Sequence, residues 1–188
     1  MSNFKFLKKY FNQLSILINN EKHFTKLIKV KDILLKTHNS GNKTLIFGNG
    51  GSAAIASHFS VDLTKNAGVR CVNFNEADLL TCFSNDFGYD RWIEKAIEFY
   101  ADKGDTLILI SASGESKNMV RSAKLAKKNG IKKIITFSGN KKNNSLSKFG
   151  DINFWVDSKA YNHIENTHQV LLLSLVDLII GKSIYPAN

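Results

Sequence analysis

The chain contains a single proline, Pro186, among 188 residues. That excludes proline-rich linkers, and with only 12 glycines it leaves no room for a long flexible tether. Cysteine is equally scarce. Cys71 and Cys82 form neither a metal-binding spacing nor a disulfide framework, so a reducing cytoplasm is the expected compartment. No stretch approaches about 18 uninterrupted apolar residues, which argues against a membrane-spanning helix. The opening MSNFKFLKKYFNQL is amphipathic and lacks the apolar core and cleavage site of a secretory signal. Acidic side chains are few beside basic ones, 16 against 26, for a formal charge of +10. Such an excess favours anionic partners, phosphorylated metabolites among them. Nucleic acid is not expected, because aromatic residues are not interleaved with the basic ones in a stacking pattern. The basic run KLAKKNGIKK reads as a solvated helix face.

What is present is a regular alternation. Phe4, Leu7, Tyr10, Phe11, Leu14 and Leu17 recur at steps of three and four, one apolar stripe of a helix over 4–20. Leu27, Ile28, Val30, Ile33, Leu34 and Leu35 give a second helix over 22–38, with Gly41 as its stop. Then KTLIFG, VRCVNF, DTLILIS, KKIITFSG and DINFWV read as five buried strands. Between them lie helical stretches at 52–65, 76–84, 89–101 and 116–129, and a last helix covers 161–182. Strands alternating with helices predict one α/β domain over 1–188. Residues 1–41 are its N-terminal helical pair, and 42–188 form a doubly wound, mostly parallel five-stranded sheet of flavodoxin-like type. The polar run NKKNNSLS at 140–147 reads as a surface loop.

In an open parallel sheet, ligands bind beyond the carboxyl ends of the strands. Two strand-end loops lie there: FGNGGS with Asn49, Gly50, Gly51 and Ser52, and ISASGESKN with Ser111, Ser113, Ser116 and Asn118. Small residues admit a ligand close to the backbone, and free N–H groups at a helix N-terminus favour an anion. Neither loop is a P-loop, and GNGGSA lacks the third glycine of a dinucleotide fingerprint. Tight corners and helix caps remain the alternative reading for each loop alone. His58 and Asp62, four apart, share one helix face, where they serve either as an exposed pair or as chemistry beside the loop.

GNGGSAA…HF followed by SASGES-N resembles the sugar isomerase (SIS) domain, and within it the phosphoheptose isomerases. The resemblance extends over SNDFGYD and a final helix opened by IENTH, almost the whole chain. It implies a phosphosugar aldose–ketose isomerase that converts sedoheptulose 7-phosphate to D-glycero-D-manno-heptose 7-phosphate through an enediol, for a heptose pathway of lipopolysaccharide or capsule. It implies that Ser111, Ser113 and Ser116, with Asn118, grip phosphate, that Asn49 and Ser52 of the glycine loop line the sugar site, and that Asp86 contacts substrate. Where the family carries His-x-x-x-Glu this chain has His58 and Asp62; where it carries glutamine and histidine on the final helix it has Glu165 and Leu173. Asn66 replaces an arginine that helps hold phosphate. Catalysis is thus expected from Asp62, His58 and Glu165, and the same three residues, one imidazole and two carboxylates, form a candidate zinc set. His168, one turn past Glu165, is a further candidate for the site, whereas His163 and Tyr161 are expected to cap the helix. The resemblance also implies a homo-oligomer, a tetramer by expectation, with sites at subunit interfaces. An enzyme for another sugar phosphate and a non-catalytic phosphosugar-binding module are the alternatives.

Overall fold

The computed structural model describes residues 2–186. Two helices come first, α1 (Asn3–Ile18) and α2 (Glu21–Asn39), each started by a side-chain cap from Ser2 and Asn20 respectively. They lead into β1 (Thr44–Gly48), α3 (Gly51–Lys65), β2 (Cys71–Val72), α4 (Ala77–Phe87), α5 (Trp92–Tyr100), β3 (Thr106–Ser111), α6 (Lys117–Ala126), β4 (Lys133–Ser138), β5 (Ile152–Trp155) and α7 (Tyr161–Ile180). The strands form one fully parallel sheet in the order β2-β1-β3-β4-β5.

Alternation along the strands builds two cores, one on each face. Ile46, Ile108, Ile110, Ile135 and Phe137 point to α2, α3 and α7; Leu45, Phe47, Leu107, Leu109 and Ile134 point to α5 and α6. Both faces are therefore covered, and the carboxyl ends of β1, β3 and β4 all emerge on one rim. Gly41 follows α2 with φ +82°, the left-handed stop expected of it.

Two expectations are corrected and a third is refined. The strand read over VRCVNF shrinks to Cys71–Val72, because Asn73 and Asn75 turn their amides to Ser60, Ala53 and Ser57 of α3 instead of extending the ladder. The refinement concerns an expectation that holds: the helix read from the apolar stripe over 4–20 forms, but no residue of α1 is buried, and Phe4 remains 78% exposed. The polar run 140–147 is not a plain surface loop. Asn144 and Leu146 are fully buried, Asn144 donating to Ser138 Oγ and to the Lys141 carbonyl, each at 2.9 Å.

Candidate functional site

The glycine turn after β1 and the serine loop after β3 meet because β1 and β3 are neighbours in the sheet. Asn49 and Asn118 join them as a reciprocal amide pair: Asn49 Nδ2 donates to Asn118 Oδ1 at 3.0 Å, and Asn118 Nδ2 donates back to Asn49 Oδ1 at 2.9 Å. Asn118 is buried, so this pair is shielded from water and locks the two loops in register. Gly50, at φ +54°, is the residue from which α3 departs, and Ser52 is buried in its first turn.

The serine loop is held from within. Ser111 Oγ lies 3.0 Å from Ser116 Oγ and 3.5 Å from Ser113 Oγ, while the Gly114 and Glu115 N–H groups donate to the Ser111 and Ser113 hydroxyls. Ser116 starts α6 without a side-chain cap, so the positive end of that helix opens on the loop. Residues 140–148 brace the loop from outside. Leu146 N–H donates to the Gly114 carbonyl at 2.9 Å, and Ser145 N–H donates to Glu115 Oε1 at 3.0 Å. Those Ser145 contacts hold the Glu115 carboxyl below its ordinary value. The Asn144 side chain fills the space that a Cβ on Gly114 would need, so this brace requires glycine there.

The adjoining faces of α3 and α7, which pack on each other, carry the acid–base groups. His58 Nε2 lies 3.3 Å from Asp62 Oδ2, with side chains 47% and 26% exposed, as their shared helix face requires. Gln169 of α7 lies 3.4 Å from His58 Nδ1. Gln169 as donor leaves the proton on Nε2, facing Asp62, and leaves the other Asp62 oxygen available. Glu165, one turn earlier on α7, stands against Gly51, where a Cβ would come within 2.5 Å of its Oε2. By helix rise, His58 sits about 10 Å along α3 from Gly51 and Asp62 about 16 Å. Leu173, half-buried, continues the α7 stripe of Glu165 and Gln169 at the next turn.

The zinc set is not assembled by one chain. Glu165 stands with Gly51 rather than with the His58–Asp62 pair, and among the described residues no three of His, Cys, Asp and Glu gather around one point. Within one chain these three residues do not fit such an ion. His168 is not a site residue either. It is fully buried against the end of β4, with Nε2 3.2 Å from the Ser138 carbonyl, and burial lowers its pKa to about 4. His163 is buried against the Tyr10 ring, at 4.2 Å between centroids, and makes no cap; Ala160 precedes α7 without a side-chain cap, and Tyr161 is exposed. Asp86 is exposed on α4 and receives Asn85 Nδ2 at 2.9 Å. From the same segment it is Tyr89 that reaches the site, its hydroxyl donating to Asn49 Oδ1 at 3.1 Å. Asn66 ends α3 beside Tyr185, far from the serine loop.

Gln169, Tyr89 and the 140–148 brace were not singled out from the sequence. Gln169 carried a usable signal, since it lies one turn from Glu165; Asn144 carried none, because nothing local distinguishes it from its polar neighbours.

Comparison with known proteins agrees with this fold. Residues 9–139 match the SIS domain. The chain is 36% identical over 160 residues to the phosphoheptose isomerase of Thermodesulfovibrio yellowstonii, covering 81% of this chain and 79% of the relative. It is 39% identical over 149 residues to that of Aliarcobacter butzleri, covering 76% and 77%. Its fold superposes on the structure of a phosphoheptose isomerase from Neisseria gonorrhoeae with a TM-score of 0.85 at 23% identity, over 95% of this chain and 99% of that one.

Proposed function

The chain belongs to the SIS-domain family, and on that footing we propose that it isomerises sedoheptulose 7-phosphate to D-glycero-D-manno-heptose 7-phosphate by way of an enediol. The observation that carries the reading is the amide-locked pair of strand-end loops with one carboxylate, Glu165 of α7, set against the glycine turn. The phosphate lies on Ser111, Ser113 and Ser116 at the open end of α6, where hydroxyl donors and the helix dipole meet an anion. Asn49, Gly50, Gly51 and Ser52 line the path of the sugar.

Isomerisation between C1 and C2 needs a carboxylate that removes a proton from carbon and a second group that moves a proton between the two oxygens. Asp62 is the base: Gln169 orients His58, and His58 presents its N–H to one Asp62 oxygen, leaving the other for the substrate. Glu165, beside the glycine turn, carries the proton between O1 and O2, the task for which Leu173 has no ionisable group; because Asp62 lies about 16 Å along α3 from that turn, the Asp62 that serves this substrate comes from a second copy of the chain. His58 and Asp62 are open to water in the single chain. A second copy covering this exposed pair would exclude that water and strengthen each electrostatic contact. The site is thus proposed to be completed in a homo-oligomer, a tetramer, and the product to feed a heptose-containing lipopolysaccharide or capsule.

The test is direct. Purified protein, assayed with and without added zinc, turns over sedoheptulose 7-phosphate. Asp62→Asn retains phosphosugar binding and loses about 10²–10⁴-fold in kcat, the usual contribution of a positioned base. Absence of turnover under every condition, with binding intact, would leave a phosphosugar-binding module instead.

A further inference from the structure

On the same rim, beyond β4, a second cleft of about 530 Å³ lies between the start of α2, the edge strand β5 and residues 140–148. Its walls carry Lys22, Lys26 and Lys142 against one carboxylate, Asp157. Among the described residues none of these three lysines has a carboxylate partner within ion-pair distance, whereas Lys95, Lys117 and Lys133 each have one and Lys43 has two. Lys26 Nζ donates to the Asn153 carbonyl at 2.6 Å, which fixes its ammonium at the cleft. Burial and the neighbouring Lys22 both lower the Lys26 pKa, so the cations are crowded and an anion would relieve them. His23 also lines the cleft. It is 3% exposed, and its Nδ1 has no hydrogen-bond partner. An orphaned buried nitrogen of this kind costs stability unless a ligand or water satisfies it. Trp155 supplies a flat apolar wall, with the Lys142 ammonium 5.9 Å from its ring centre.

We infer that this cleft is a second anion site, separate from the serine loop, that takes a nucleoside diphosphate. Three lysines opposing one carboxylate complement a diphosphate, Trp155 offers a stacking face to a base, and the volume falls in the range of small-ligand pockets. The site borders the isomerase centre without sharing its residues. The 140–148 segment turns Asn144, Ser145 and Leu146 to the serine loop and Lys142, Asn143 and Ser147 to the cleft.

Isothermal titration of the full chain with ADP, GDP and UDP tests this, with pyrophosphate and ribose 5-phosphate as partial ligands. Saturable nucleoside diphosphate binding is expected, weakened at least about tenfold by Lys22→Ala/Lys142→Ala, two exposed positions whose loss leaves circular dichroism unchanged. Trp155→Ala is expected to bring ADP down to the affinity of pyrophosphate, since base–aromatic stacking is worth about tenfold or more. No saturable heat up to about 1 mM would overturn the site. So would binding that survives Lys22→Ala/Lys142→Ala but disappears in Ser113→Ala, which would place the ligand on the serine loop. The readout is binding alone, so this site and the proposed reaction fail independently.

Discussion

Gly51 has no side chain, and the space a Cβ would take is held by the Glu165 carboxylate. Gly51→Ala must therefore push Glu165 aside. Because Glu165 is a single flexible side chain, the fold tolerates the change while the proton shuttle is displaced by about an ångström. A displacement of that size costs up to about 10² in rate, so kcat is expected to fall by that order while the thermal midpoint hardly moves. A second consequence at this scale concerns acid. His168 is fully buried and titrates at about 4 instead of its ordinary 6.5, because burial penalises the charged ring. Below pH 6.5 the unfolded chain takes a proton that the folded chain refuses, until about pH 4. Stability then falls with pH across that window by about 1.4 kcal/mol per pH unit for this histidine, and is level in this respect above it. His23, also lowered to about 4 by burial and by Lys26, acts in the same direction. Urea unfolding between pH 7 and pH 4 measures the slope, and His168→Gln is expected to reduce it by one proton.

Among the elements, the serine loop owes its shape to a segment 30 residues later in the chain, as the Ser145–Glu115 contact shows. Asn144 holds that brace with both ends of its amide. Nδ2 donates to Ser138 Oγ and the Lys141 carbonyl, and Oδ1 accepts the Ser147 N–H at 3.0 Å. Asn144→Ala strands these buried groups at a cost of about 1–3 kcal/mol and loosens the phosphate loop. The expected result is a KM for the sugar phosphate raised several-fold with a smaller change in kcat, read from steady-state kinetics. The alternation of strands and helices, the sheet class and the two strand-end loops were legible in the sequence, because apolar runs and glycine or serine corners are local signals. The brace was not, since Asn144 is polar in a polar run and is buried only by what folds around it. The short β2 misled for a related reason: its apolar composition suits a strand, but Asn73 and Asn75 find better partners on α3.

For the whole molecule, the telling feature is the apolar surface left by α1. Phe4, Phe6, Leu7, Phe11 and Ile16 are exposed on a helix that packs only one side onto α7. Contiguous apolar patches of this sort mark association surfaces. If the proposed oligomer forms through this surface, Phe4→Asp/Phe11→Asp is expected to give smaller species in light scattering, and to lower activity by leaving the His58–Asp62 pair wet. The isolated chain should keep its circular dichroism, because neither phenylalanine belongs to a core. No described helix is long and apolar enough to cross a membrane.

The sequence by itself determined the layered α/β class, the parallel sheet, the paired strand-end loops, the His58–Asp62 pairing and the resemblance to a sugar isomerase. Each follows from residue types at short spacing. Only the tertiary structure decided which groups meet: Glu165 with Gly51 instead of His58, Gln169 with His58, Tyr89 with Asn49, and His168 in the core. These outcomes depend on the packing of α7 across α3, where one turn of helix separates a buried ring from a carboxylate beside Gly51. That choice is made by the fit of two helix faces over a sheet, and no local stretch of chain encodes it.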